Sequence, residues 1–265
     1  MSQHLKGIAY IEIYVAEGPS AVDHFVDGLK FQQIATAHGW RRHSVLVRSR
    51  DVQVVLTPPT HASGAVADYL AVHGDGVADV ALYADDLPAL LARARRSGLR
   101  IHLTTTYAAM TKDVRIARIT GAGSVQHTLV PPAPDLLDDQ PPGFLWDTHP
   151  AASDEPALPP EPSRPHSVDH LAWCLPTGTL EGVVAQYRET FGMRIIANDR
   201  FAFGGSVINS HVLQDRPASR TSWPRPTPEP DLGPGCSVSP TARSRSSCTC
   251  IVQPACSTWR SRLPT

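Results

Sequence analysis

The chain of 265 residues lacks any hydrophobic run approaching the roughly 20 residues that a bilayer-spanning helix requires, so no membrane span is expected. It also lacks a charge excess. Its 24 Lys and Arg stand against 25 Asp and Glu, a formal net charge of −1, without the basic surplus of an electrostatic nucleic-acid binder. The opening MSQHLKGIAY has neither an apolar core nor a small-residue cleavage site, so no secretory signal is read there. Cys174 is the only cysteine before Cys236. That excludes a disulfide framework over most of the chain and makes a cytoplasmic location the expectation.

What is abundant is unevenly placed. Of 25 prolines, eleven fall between Pro131 and Pro165 and nine from Pro217 onward, and Cys236, Cys248, Cys250 and Cys256 cluster near the end. Between these stretches the patterning is regular. Residues 7–15 (GIAYIEIYV) alternate as a strand does. Ser20 then offers an N-cap to a helix carrying Val22, Phe25, Val26 and Leu29 at helical spacing. Strands over 44–48 and 52–57 follow, closed by Pro58 and Pro59, with a further strand expected in the same unit.

The pattern recurs with a strand over Val77–Tyr83 and an Asp85-Asp86 cap. A helix follows with Leu87, Leu90, Leu91 and Ala94 on one face, stopped by Gly98, and then strands over 114–119 and 125–130. It opens a third time after the proline-rich stretch. VDHLAWCL (168–175) reads as a strand, Leu180 to Phe191 as a helix ended by Gly192, and 205–213 as a strand. Superposing the first and third copies places Tyr10 on His170. Repeats of roughly 50–60 residues are the main organisational signal. From about Arg216 the periodicity ends in a Pro-, Ser- and Arg-rich tail without lysine, a composition that reads as disordered. Its C-x-C-x5-C spacing at Cys248, Cys250 and Cys256 does not follow the paired knuckles of structural zinc sites. Trp40, Arg41, Arg42 and His43 read as a solvated turn, and Arg93, Arg95 and Arg96 as the solvent face of a helix.

The motifs HGDGVADVAL (73–82), GSVQHTLV (123–130), PPGF (141–144), VDHLAWCLPTGTLEGVVAQYRETFGM (168–193) and INSHVLQ (208–214) occur in the order found in one family. Over residues 7–215 the chain resembles the 4-hydroxyphenylpyruvate dioxygenase and 4-hydroxymandelate synthase family of the vicinal oxygen chelate superfamily. The resemblance implies an α+β fold of paired β-α-β-β-β modules. It divides the chain into an N-terminal domain (1–130), a Pro-rich linker (131–166), the first module of a catalytic domain (167–215) and an aberrant tail (216–265).

It also implies a non-haem Fe(II) enzyme acting on an aromatic α-keto acid and O2. The iron would be held by two histidines and a glutamate in a facial triad with three open positions. Residue by residue, His170 carries over as the first iron ligand and Ser210 as the serine lining the substrate pocket, with no further catalytic residue. Asn209 and His211 should face away from Ser210, and His211 matches no family ligand. Asp79 is read as a strand residue in the N-terminal site, where the family holds no metal. The second histidine and the glutamate have no counterpart: no histidine follows His211, and only Glu229 and Asp231 are acidic beyond Asp215. The tail therefore reads as a frameshifted or prematurely ended family member, and an inactive chain is expected. INSHVLQ and the short interval after Phe191 lean toward the synthase. The alternative is a non-catalytic vestigial or small-molecule-binding protein of the same fold. An uncovered apolar strand face near Ile195–Val212 would favour aggregation or a homo-oligomer.

Overall fold

The computed structural model describes residues 5–39, 42–107, 114–132, 140–148, 165, 167–168, 170–203, 206–215 and 248–249. Its centre is an antiparallel pair. Strand β1 (Leu5–Tyr14) lies against β5 (Gly76–Ala84), with Ile11 opposite Val80 and Glu12 opposite Asp79. Each of these strands then pairs in parallel with the last strand of its own unit, β1 with β4 (Val52–Thr57) and β5 with β8 (Gln126–Val130). Antiparallel neighbours continue outward on either side. They are β3 (Arg42–Ser49) and β2 (Gln32–Gly39) on one flank, β7 (Val114–Thr120) and β6 (Ile101–Tyr107) on the other. A ninth strand, β9 (Trp146–Thr148), covers the β2 edge. The order β6-β7-β8-β5-β1-β4-β3-β2-β9 is thus two β-α-β-β-β units joined back to back.

Alternation sorts the side chains onto two faces. The outer face carries two apolar clusters. One packs Val45, Val47, Val54 and Leu56 against Phe25, Phe31 and Val22. The other packs Val80, Leu82, Ile119 and Leu129 under two helices. The inner, concave face is filled by Tyr10, Leu46, Val55, Ile116 and Val130. On its flank Phe144, from the PPGF segment, meets Tyr10 edge-on at 6.5 Å between ring centroids and stacks on Trp146 at 4.7 Å.

The first helix departs from the sequence reading. α1 (Gly18–Asp23) begins three residues earlier than a Ser20 cap would allow. Its N-cap is Glu17, with no side-chain bond, because Pro19 presets the first turn and places exposed Ser20 inside the helix. A single π-helical turn (His24–Gly28) completes it. α2 (Ala65–His73) and β6 escaped the sequence reading; α2 buries no residue, so it has no apolar face to betray it. α3 (Leu87–Arg96) follows its sequence signals closely. Asp86 Oδ1 accepts from the Ala89 N–H at 2.9 Å, Leu90, Leu91 and Ala94 are buried, and Gly98 takes φ +82° just past the end.

The third unit docks on the second. Helix α4 (Leu180–Phe191) ends at Gly192 in the left-handed conformation and lies beside α3 under β5 and β8. Strands β11 (Arg194–Phe203) and β12 (Ser206–Gln214) form a hairpin beyond it. One expectation is corrected here. The strand read over 168–175 is reduced to β10 (Trp173–Cys174), paired only with β13 (Cys248–Thr249). Among the described residues no strand offers a ladder to 170–172. At one end of the hairpin Met193, Ile195 and Leu213 pack into the cluster of α3, α4, β5 and β8, while Ile196 is 51% exposed. Asp169, Trp40, Arg41, Cys236, Cys250 and Cys256 lie outside the described residues.

The docking has a polar centre. The buried His127 ring on β8 bonds through Nδ1 to the Val80 carbonyl at 2.9 Å and through Nε2 to the Tyr187 hydroxyl of α4 at 2.6 Å. That hydroxyl in turn accepts from the Ala122 N–H at 2.9 Å. A carbonyl can only accept, so Nδ1 carries the proton and Tyr187 donates to Nε2. Burial lowers His127 to about 4, so the neutral ring is the folded form, and burial likewise raises Tyr187. Tyr187→Phe strands a buried acceptor and a buried N–H. The variant is expected to lose about 1–3 kcal/mol in urea unfolding; a loss below a few tenths would show that the docking does not depend on this chain of bonds.

Candidate functional site

Two places bear on function: the positions carried over from the family, and a polar centre in the N-terminal half-barrel. His170 is exposed and sits in irregular chain just before β10. Ser210 is 6% exposed on β12, opposite Asp199 of β11, while Asn209 is exposed. This agrees with the alternation read from the sequence. His211 bonds to Glu181 of α4 at 3.0 Å and so ties the hairpin to the helix. No ladder joins the His170 segment to the β11–β12 hairpin among the described residues. Nor do any three His, Cys, Asp or Glu side chains among them gather as a metal site.

The second place lies at the centre of the concave face. Laying β5 on β1 equates Asp79 with Tyr10, the position that also superposes on His170. Around these two positions the sheet gathers polar side chains from six strands. Glu12, 2% exposed, accepts from the Thr57 hydroxyl at 2.7 Å. Thr57 has spent its one proton there, so Ser44 donates to Thr57 across 2.8 Å. Asp79, 3% exposed, accepts from the Thr128 N–H at 2.9 Å and from the Thr128 hydroxyl. Arg118 Nε lies 3.2 Å from Thr128 Oγ1 and 3.3 Å from Asp79 Oδ2, and its side chain is 28% exposed.

The electrostatics follow from burial. Desolvation pushes Asp79 up to about 6; Arg118 and Thr128 oppose this and the charge of Glu12 adds to it. Tyr10 is raised for the same reason, with the Asp79 and Glu12 charges reinforcing burial. Asp79 was legible as a strand residue, but its partners Glu12, Thr57, Ser44, Thr128 and Arg118 were not singled out. The available signal was Glu12 itself, a carboxylate within the apolar strand IAYIEIYV on the same face as Tyr10. Beside Arg118 opens a groove of about 390 Å³, lined by Tyr14, Pro59, His61, Ala65 and Val66 among others.

Paired β-α-β-β-β units curled around a concave face define the glyoxalase/dioxygenase fold, an α+β architecture. The profile of the Glyoxalase/Bleomycin resistance protein/Dioxygenase superfamily matches residues 10–117. The chain is similar to the 4-hydroxyphenylpyruvate dioxygenase of Aspergillus fumigatus, 28% identical over 144 residues, 47% of this chain and 36% of that protein. In structure it is similar to a triple mutant of 4-hydroxymandelate synthase from Streptomyces coelicolor. That match has a TM-score of 0.68 and 24% identity, over 95% of this chain and 64% of the other. A xylose isomerase-like TIM barrel/4-hydroxyphenylpyruvate dioxygenase fusion protein matches 82% of this chain and 31% of its own, with a TM-score of 0.51 and 19% identity. The chain thus spans about a third of the curated relative. Among the described residues no helix is long and apolar enough to cross a membrane.

The two buried titrating groups act on stability with opposite signs. Asp79 is raised in the fold, so its contribution is present below its ordinary value of 3.8 and is lost as pH rises through about 6. His127 is lowered from 6.5 to about 4, so its contribution is present above 6.5 and is lost as pH falls through about 4. Between pH 4 and 6 the slopes oppose, and the urea midpoint of the native chain is expected to change little. Asp79→Asn removes one of them, so the variant's midpoint should rise with pH across this window. Parallel pH profiles for the two proteins would refute the raised Asp79.

Proposed function

We propose that this chain is a divergent relative of the iron-dependent aromatic keto-acid dioxygenases and that it does not by itself turn over their substrate. The observation that carries this reading is the donor set. His170, the single position matching a family ligand, is exposed on irregular chain, and no triad assembles among the described residues. A facial triad holds Fe(II) because three ligands are presented together. One imidazole cannot compete with water and buffer for the ion. These donors do not fit Fe(II), and no oxidative step is assigned to them.

The ancestral reaction on this reading is oxidative decarboxylation and hydroxylation of 4-hydroxyphenylpyruvate with O2. The hydroxymandelate-forming branch is favoured by INSHVLQ and by the short interval between Phe191 and Ser210. Ser210, buried on β12, is the position of this chain that would line the substrate pocket. The present role is then binding of a small molecule within the fold.

After anaerobic incubation with Fe(II) and desalting, the purified full chain should hold far less than one iron by mass spectrometry. It should show no O2 uptake dependent on 4-hydroxyphenylpyruvate. Stoichiometric iron with keto-acid-dependent uptake overturns the proposal. Reading the coding DNA beyond residue 215 in all three frames tests the origin of the tail separately. A Gly-Val-Gln-His-like segment in another frame is the expected result.

A further inference from the structure

We propose that the groove beside the N-terminal polar centre binds a small monocarboxylate with an apolar body, and that Arg118 is its anchor. The groove, about 390 Å³, is of the size that small-molecule sites occupy. Tyr14, Pro59, Ala65 and Val66 give it apolar walls, and Arg118 is the one permanently charged side chain among the described residues that line it. The guanidinium is held from behind: Nε faces the Thr128 hydroxyl at 3.2 Å and Asp79 at 3.3 Å. Among the described residues only Nε is engaged, which leaves the two Nη nitrogens as donors. Their planar fork matches a carboxylate with two parallel bonds.

The surroundings also set the charge of the ligand. Asp79 and Glu12 lie sealed behind the guanidinium at 3% and 2% exposure, and Glu12 is already bonded by Thr57. A ligand entering from the groove meets the cation first. A second negative charge on the ligand would be opposed by the two buried carboxylates, so a monoanion is selected over a dianion such as phosphate. The inference is independent of the iron reading, because no residue of 167–215 is among those lining the groove.

The test is titration of the full chain with phenylacetate and with its neutral isostere phenylacetamide, followed by ligand-observed NMR. Phenylacetate is expected to bind in the millimolar range and phenylacetamide roughly tenfold or more weakly. Added salt should weaken only the former. Arg118→Gln should abolish the difference. Because that variant removes the ion pair of buried Asp79 and can fail to fold, Ala65→Trp supplies a second arm. This exposed position in the first turn of α2 puts a bulky ring into the groove while leaving the Asp79–Arg118 pair intact, and phenylacetate binding should disappear. Equal binding of the two probes, binding unaffected by Ala65→Trp, tighter binding of inorganic phosphate, or no binding of phenylacetate overturns the proposal.

Discussion

The hydroxyl of Tyr187 is the contact on which the placement of the third module turns. It donates to His127 and accepts from Ala122, and His127 donates to Val80, so one buried chain of bonds links α4 to β8, β5 and the turn before β8. Each group is cut off from water, and none can be left unmet without a cost comparable to a large core substitution. The apolar packing of Val184, Phe191, Met193 and Leu213 against Leu90, Leu91 and Leu129 supplies the bulk of the attraction. It is non-directional, however, and would tolerate sliding. The hydrogen-bond chain fixes both the rotation of α4 and a single tautomer of the imidazole.

The N-terminal half-barrel rests on a different constraint, the antiparallel pairing of β1 and β5. Two copies of one unit meet there about the Ile11–Val80 pair, so the inward pairs Tyr10–Ala81 and Glu12–Asp79 flank one spot. In this chain that spot holds carboxylates, hydroxyls and a guanidinium. Nearly every polar atom named there has a partner, as a buried network requires. The apolar remainder of the concave face, with Phe144 against Tyr10, covers the buried end of the network, while Arg118 reaches the groove.

Much of this architecture was legible. The period-2 runs at 7–15 and 77–83, the Asp86 cap, the stripe through Leu90, Leu91 and Ala94 and the Gly192 stop are local signals, and local physics decides them. Ser20 misled because a proline at the first turn outranks a hydroxyl one residue on. β10 was overcalled because alternation specifies a strand's faces, not its partner. The α4 docking was invisible for a related reason: Tyr187 and His127 are sixty residues apart in the chain, and nothing local in either segment announces the other. Of the site, His170 and Ser210 were named from motifs, and the alternation of Asn209 and Ser210 followed from period 2. The Glu12, Asp79 and Arg118 centre needed the β1–β5 and β7–β8 registers, which only the folded sheet supplies.

Arg118 has one more consequence. Its guanidinium keeps its charge across the working pH range, whereas the carboxylate 3.3 Å behind it does not. As pH rises through about 6 Asp79 ionises, so the net charge at the edge of the groove is set by the buried acid and not by the exposed base.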